Sequence, residues 1–345
     1  MALSGAARRL RLCVQVSSRA GRGPLIAGLA FGPGSDSIIT NAPPVWCSAI
    51  MTQGYQEADF ERVVRDVGRT YFLPETTIEI IREPELKAPP QHVLFDFDGT
   101  LSLIREGWPG VMVPMMVEVL LETGTDESPQ ELYDYCYGYV MQLCGKQTIY
   151  QMVRLAEEVK ARGGTPKDPF VYKQIYHDRL MDRIRHRREA LRSGKVKPEE
   201  MLVPCSLNIL AALKDRGIAL YLASGTDQEY VEEEAGLLTL EHYFGPHIYG
   251  AQKEYKKFSK QAVIDHILSE NRIEGSLLLG FGDGYVEIQN VKSSGGTAIA
   301  VASDEAHRSG KPDAWKRDRL IGAGADIVIP DFQDYEPLLR YLRCG

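Results

Sequence analysis

The sequence predicts an α/β protein built on an open parallel sheet and interrupted by an inserted all-helical domain. Two observations carry this. From His92 onward, short continuous apolar runs alternate with helical segments, as strands buried on both faces of a parallel sheet require. Between Leu101 and Pro204 the alternation stops, and the pattern reads as helix throughout.

The 345 residues suffice for one large domain or two ordinary ones, and for a sizeable core. Apolar residues at 44% and charged residues at 25% give the balance of a folded, water-soluble chain. Forty basic against forty-seven acidic side chains leave a formal charge of -7, which argues against a nucleic-acid partner. No apolar stretch reaches the roughly 18 residues of a membrane span, so no membrane partner is expected. The cysteines, Cys13, Cys47, Cys136, Cys144, Cys205 and Cys344, form no C-x-x-C pair and predict reduced thiols in a cytoplasmic setting.

Residues 1–50 stand apart, with five arginines against Asp36, and predict a disordered extension with Met51 opening the folded part; the alternative is an organellar transit peptide. Residues 51–90 form a lead-in. Within it, 57–67 place Phe60, Val63, Val64 and Val67 on one face and predict a helix, while 76–81 (TTIEII) read as a strand. The lead-in packs on the core or serves a dimer contact; the chain is expected to be a monomer or homodimer.

The core strands are read at VLFDFD (93–98), IALYLASG (218–225), HIYGA (247–251), SLLLGFGD (276–283), TAIAVAS (297–303) and ADIVIPD (325–331). The core thus takes 91–102 and 204–345, and the helical insert 103–203. In the insert, Ser128-Pro129-Gln130-Glu131 is a capping box with proline at the first helical position, and Gly163-Gly164 ends the helix that follows Gln147. The long segment from Phe170 to Ser193 carries an arginine run that reads as a solvated face. Tyr133, Tyr135, Tyr137 and Tyr139 read as packing and surface residues, with one or two facing a cleft.

The chemistry is expected at the carboxyl ends of the strands, where an open parallel sheet binds its ligands. Asp96 and Asp98 follow the first core run directly, and Gly99 lets the chain turn sharply behind them. Two close carboxylates are costly unless a cation or a proton separates their roles. That pattern suits a divalent metal, one nucleophilic carboxylate and one that exchanges protons. Ser224, Gly225 and Thr226 end the second run as a hydroxyl and backbone N–H cradle for phosphate. Lys260 stands at a helix start, where its charge opposes the dipole unless an anion is bound; Lys256 and Lys257 are neighbouring candidates. Asp283, with Glu287 four residues on, supplies a third carboxylate at the same edge.

The chain from about His92 resembles haloacid dehalogenase (HAD) superfamily phosphohydrolases, through DFDGTL (96–101), LASGT (222–226), a lysine in KKFSK (256–260) and GDGYVE (282–287). The resemblance implies a Rossmann-like core under a mobile C1-type helical cap, and a Mg²⁺-dependent phosphatase acting on a small phosphorylated metabolite: a sugar, polyol or nucleotide monophosphate. Carried over residue by residue, it makes Asp96 the nucleophile, Asp98 the acid and base, and Asp96, Asp98 and Asp283 metal ligands, with Glu287 near the metal. Ser224, Gly225 and Lys260 or Lys257 would hold phosphate, and Arg105, Glu106, Trp108 and Lys146 are substrate candidates. Asp98 points to phosphate esters rather than dehalogenation, and Thr100 to hydrolases rather than mutases. A phosphomutase or phosphotransferase, or a silent phosphate-binding scaffold, is the alternative.

Overall fold

A computed structural model describes residues 59–344 apart from Lys253, Lys256 and Lys257, so the expectations for residues 1–50 and for Lys257 lie outside the described residues. The sheet has eight strands: β1 (Tyr71–Phe72), β2 (Glu79–Ile80), β3 (His92–Phe95), β4 (Ala219–Asp227), β5 (Ile248–Ala251), β6 (Leu278–Gly282), β7 (Thr297–Val301) and β8 (Ile327–Ile329). Their order is β1-β2-β8-β7-β6-β3-β4-β5; the β1–β2 and β2–β8 pairs at one edge are antiparallel and the other five pairs are parallel.

Every core run of the sequence forms one of these strands, because residues on both faces are buried. Val93 and Phe95 enter one apolar cluster and Leu94 the other. On the first face Phe95 stacks on Phe281 with ring centroids 4.8 Å apart, and Phe244 and Phe332 meet it edge-on. Phe95 aligns with Leu222 on one side and Phe281 on the other; the chain runs outward from β3 to β4 and β5, then crosses back to β6 on the other side of β3 and runs outward to β7. The ends of these three strands therefore open together at a topological switch point, where a crevice forms.

Around the sheet lie α5 (Ser206–Asp215), α6 (Gln228–Leu237), α7 (Glu241–Phe244), α8 (Lys260–Asn271), α9 (Tyr285–Ser293), α10 (Ala314–Ala323) and α11 (Tyr335–Tyr341). The insert contributes α1 (Pro109–Leu121), α2 (Pro129–Gln142), α3 (Thr148–Ala161) and α4 (Pro169–Arg192). Ser128 caps α2: its hydroxyl accepts from the Glu131 N–H while the Glu131 carboxylate takes the Ser128 N–H, satisfying two end donors at once. Met112, Met116, Leu132, Val140, Met152 and Leu155 are all buried and carry the apolar cluster of Val93 and Phe95 on into the insert. Its neck is a short antiparallel contact, with Leu103 N–H donating to Met201 O and Val203 N–H to Leu101 O, each at 2.9 Å.

Two expectations need correction. The described part of 57–67 is not helical. Eleven residues are marginal as a lone helix, and here the backbone is tied to the core, with Val63 and Val64 N–H groups both donating to Gly322 O. Phe60 packs edge-on against Tyr285 and under the Arg319 guanidinium, 4.1 Å from the ring centre. The tyrosine row of α2 faces no cleft: Tyr133, Tyr135 and Tyr137 are exposed and Tyr139 is buried within the insert.

Candidate active site

Asp96 is the first residue past β3. Its N–H donates to Phe281 O at 2.9 Å, extending the sheet by one bond and fixing where the carboxylate emerges. The side chain is 8% exposed and accepts from the Phe97 N–H at 2.7 Å; Lys260 Nζ lies 2.8 Å away. Burial pushes the Asp96 carboxyl above its usual range; the Lys260 ammonium opposes this and Asp283 adds to it.

Lys260 begins α8 behind the Ser259 cap, and it is buried. Its charge at the wrong end of the helix is compensated by Asp96 and by Glu287, which pairs with it directly. Glu287 is itself buried and is not among the residues lining the cleft; it braces Lys260 from behind. Lys257 is outside the described residues.

Asp98 lies on the opposite side of the turn. Its Oδ2 accepts from Thr226 Oγ1 at 2.8 Å and its Oδ1, sealed from solvent, is 3.8 Å from Arg105 Nε. Burial pushes its carboxyl up to about 7; Arg105 pulls the other way, and Glu234 and Asp96 add to the rise. Arg105 is locked by two bonds to Glu234, Nε and Nη2 each at 2.9 Å from a carboxylate oxygen, and Glu234 on α6 is fully buried.

Gly99 makes the turn possible. It holds φ +75°, and a Cβ there would sit 2.2 Å from Asp283 Oδ2, so only glycine brings the two loops this close. Thr100 completes the link: the Asp283 N–H donates to Thr100 Oγ1 at 3.0 Å, and that hydroxyl faces Asp283 Oδ1 at 3.3 Å. Asp283 Oδ2 accepts from Lys316 Nζ at 2.9 Å, and the same ammonium reaches Glu305 Oε1 at 2.6 Å and Ser303 Oγ at 3.0 Å. Burial disfavours that ammonium, but Asp283 and Glu305 outweigh it and its pKa rises.

Ser224 and Gly225 close the crevice from β4, with the Thr226 N–H donating to the buried Ser224 hydroxyl at 3.0 Å. A Cβ on Gly225 would lie 3.2 Å from Lys146 O, so this glycine admits the backbone of the insert's 144–147 loop. Arg105, Glu106, Trp108 and Lys146 all line the same cleft as Asp96, Asp98, Ser224, Gly225, Lys260 and Asp283.

Sequence reading missed Glu305 and Lys316 as site residues. Thr226 stood in the expected phosphate cradle; its hydroxyl serves Asp98, and Asp227 is the N-cap of α6. Glu305 lies four residues past the end of β7, in the loop that corresponds to the one where Asp283 follows β6, which is the signal that would have found it. Lys316 sits in an ordinary charged stretch of α10 and carried no such signal.

Among known proteins, the model of haloacid dehalogenase-like hydrolases matches residues 90–295. A 5'-nucleotidase of Pseudomonas aeruginosa is 24% identical over 243 residues, covering 69% of this chain and 95% of that protein. A predicted phosphoglycolate phosphatase from Haemophilus somnus is 16% identical, with a TM-score of 0.48 over 73% of this chain and 99% of its own. A β-phosphoglucomutase from Clostridium difficile is 11% identical, with a TM-score of 0.49 over 74% and 97%. With the family model covering more than half of its length, the chain belongs to the haloacid dehalogenase-like hydrolases.

Proposed function

We propose that this phosphoric monoester hydrolase cleaves a small phosphorylated metabolite with Mg²⁺, through a phospho-aspartate on Asp96. One observation carries the reading: Asp96 and Asp98 leave the central strand into one cleft but are held by different partners, Asp96 2.8 Å from the buried Lys260 ammonium and Asp98 by the Thr226 hydroxyl near Arg105. Two carboxyls held by such different partners are suited to separate nucleophile and acid roles.

The Asp96 carboxylate attacks phosphorus in line. The bond from phosphorus to the ester oxygen breaks, its electron pair stays on that oxygen, and Asp98 delivers the proton. Asp98, now ionised, takes a proton from water as the water oxygen attacks the phosphoryl group; phosphate leaves and Asp96 is regenerated. Lys260 and Ser224 neutralise and orient the phosphoryl oxygens. Thr226 and Arg105 keep Asp98 pointed at the leaving group.

The donors suit magnesium. Among the described residues no three acidic, histidine or cysteine side chains converge as a metal cage, whereas Mg²⁺ takes one or two carboxylates and keeps several waters. Asp96, the Asp98 backbone carbonyl and Asp283 would hold it, where it supplies positive charge to the transferring phosphoryl group.

The test is phosphate release from a panel of sugar, polyol and nucleotide monophosphates with and without Mg²⁺. Asp96→Asn is expected to fall to background and Asp98→Asn by about 10²–10⁴-fold. Undiminished turnover by Asp96→Asn refutes the nucleophile, and isomerised sugar phosphate in place of free phosphate marks a mutase.

A further inference from the structure

We infer that the ester accepted here has a small, uncharged, hydroxyl-bearing leaving group, a polyol or small sugar phosphate, in preference to a nucleotide or an ester with a second anion. This rests on the phosphomonoesterase reading above and narrows it.

Beyond the phosphoryl end, three charged side chains line the insert's side of the cleft, and each is already spent. Arg105 gives two bonds to the buried Glu234 and leans on Asp98. Glu106 accepts from Arg187 Nη2 at 2.7 Å. Lys146, with its side chain only 3% exposed, places Nζ 2.5 Å from Asp59 Oδ1 and 5.2 Å from the Tyr150 ring centre. A carboxylate on the substrate would have to compete with Asp59 for Lys146, take an Arg105 bond from Glu234, or enter uncompensated beside Asp98 and Glu106. Stripping a partner from a buried charge and desolvating an unpaired one are both costly.

The uncharged groups are differently disposed. The Tyr176 hydroxyl lines the cleft near Asp98, and among the described residues it has no hydrogen-bond partner. Burial raises its pKa, so it stays a neutral phenol able to donate and accept. Thr148 and Gln151 add further polar groups, and Trp108 and Met112 supply apolar contact. That mixture fits carbon chains bearing hydroxyls. The cleft encloses about 100 Å³, well below the roughly 300–1,000 Å³ of pockets that take drug-sized ligands, which disfavours a nucleobase.

Asp59 belongs to the lead-in, outside the family-matched residues 90–295. The lead-in thereby acquires a role: it supplies the counter-charge that withholds Lys146 from an anionic substrate.

The experiment is calorimetric binding to full-length Asp96→Asn with Mg²⁺, which needs no turnover. Glycerol 3-phosphate and 3-phosphoglycerate differ only in carrying CH₂OH or carboxylate, and uridine monophosphate tests size. Glycerol 3-phosphate is expected to bind about tenfold more tightly than either of the others, a gap of about 1.4 kcal/mol. Adding Tyr176→Phe weakens glycerol 3-phosphate by about 3–10-fold, as loss of one hydrogen bond does. Adding Asp59→Asn releases Lys146 and tightens 3-phosphoglycerate by about tenfold, while glycerol 3-phosphate shifts less than about twofold. Equal or reversed affinities with Asp59 intact, or a ratio untouched by Asp59→Asn, overturn the inference. If the binding order holds but the unsubstituted enzyme releases no phosphate, the hydrolase mechanism falls and the ligand preference stands.

Discussion

Replacing Lys316 by methionine keeps the aliphatic stem and removes the ammonium that serves Asp283, Glu305 and Ser303. The lysine side chain is 12% exposed, Asp283 11% and Glu305 20%, so water screens the three only weakly. Removing one partner of a buried ion pair costs about 3–5 kcal/mol, because the remaining charge is left uncompensated. Here two carboxylates lose the same cation, which places the expected loss in that range at neutral pH. At roughly 2 °C per kcal/mol for a chain of this size, the melting temperature falls by about 6–10 °C. Urea unfolding followed by circular dichroism reads the loss as a lower midpoint at unchanged slope. Added Mg²⁺ restores part of the stability, since a bound cation stabilises the folded state by mass action. A loss under about 1 kcal/mol in metal-free buffer would refute the claim that Lys316 compensates both acids.

Gly99→Ala places a methyl 2.2 Å from Asp283 Oδ2 at a φ of +75°. Backbone strain of about 1–2 kcal/mol and overpacking of about 1–3 kcal/mol add up, so a urea midpoint within error of the parent would contradict the reading. Glu79 is buried against Arg317, which donates Nε and Nη2 to its two oxygens at 2.7 and 2.5 Å. Burial alone would raise its carboxyl, but bonds from Arg317 and Thr70 hold it below the usual range. The folded-state pKa is depressed, so this stabilisation is complete above the ordinary value of about 4.3 and is lost as pH falls through the folded value. The stability gap between the parent and Glu79→Gln is thus expected to be open at pH 7 and to close in acid; a gap constant from pH 7 to 3 would exclude it.

The parallel strands were legible because burial on both faces leaves continuous apolar runs, and the carboxylates were legible because they follow those runs directly. Asp96, Asp98 and Asp283 share that position, whereas Glu305 stands four residues beyond β7, after Asp304, and was passed over. Lys316 is less accessible to such reasoning: its partners lie in two other loops, and nothing in its own neighbours distinguishes a buried counter-ion from a surface lysine. Lys260 shows the opposite case, since a cation at a helix start is a local anomaly that Asp96 and Glu287 resolve. The 59–67 stretch was misjudged because its apolar spacing serves contacts with Tyr285, Arg319 and Gly322, all more than two hundred residues away.

The two strands antiparallel at the sheet margin have a practical bearing on how far the molecule tolerates shortening. β1 and β2 are only two residues each, yet β2 is what β8 pairs with on its outer side, and Glu79 anchors it to α10. A fragment starting at residue 90 would keep every motif of the family and still leave the backbone of β8 bare, an invitation to pair with another molecule. Trimming to the catalytic signature would thus trade a shielded margin for a sticky one.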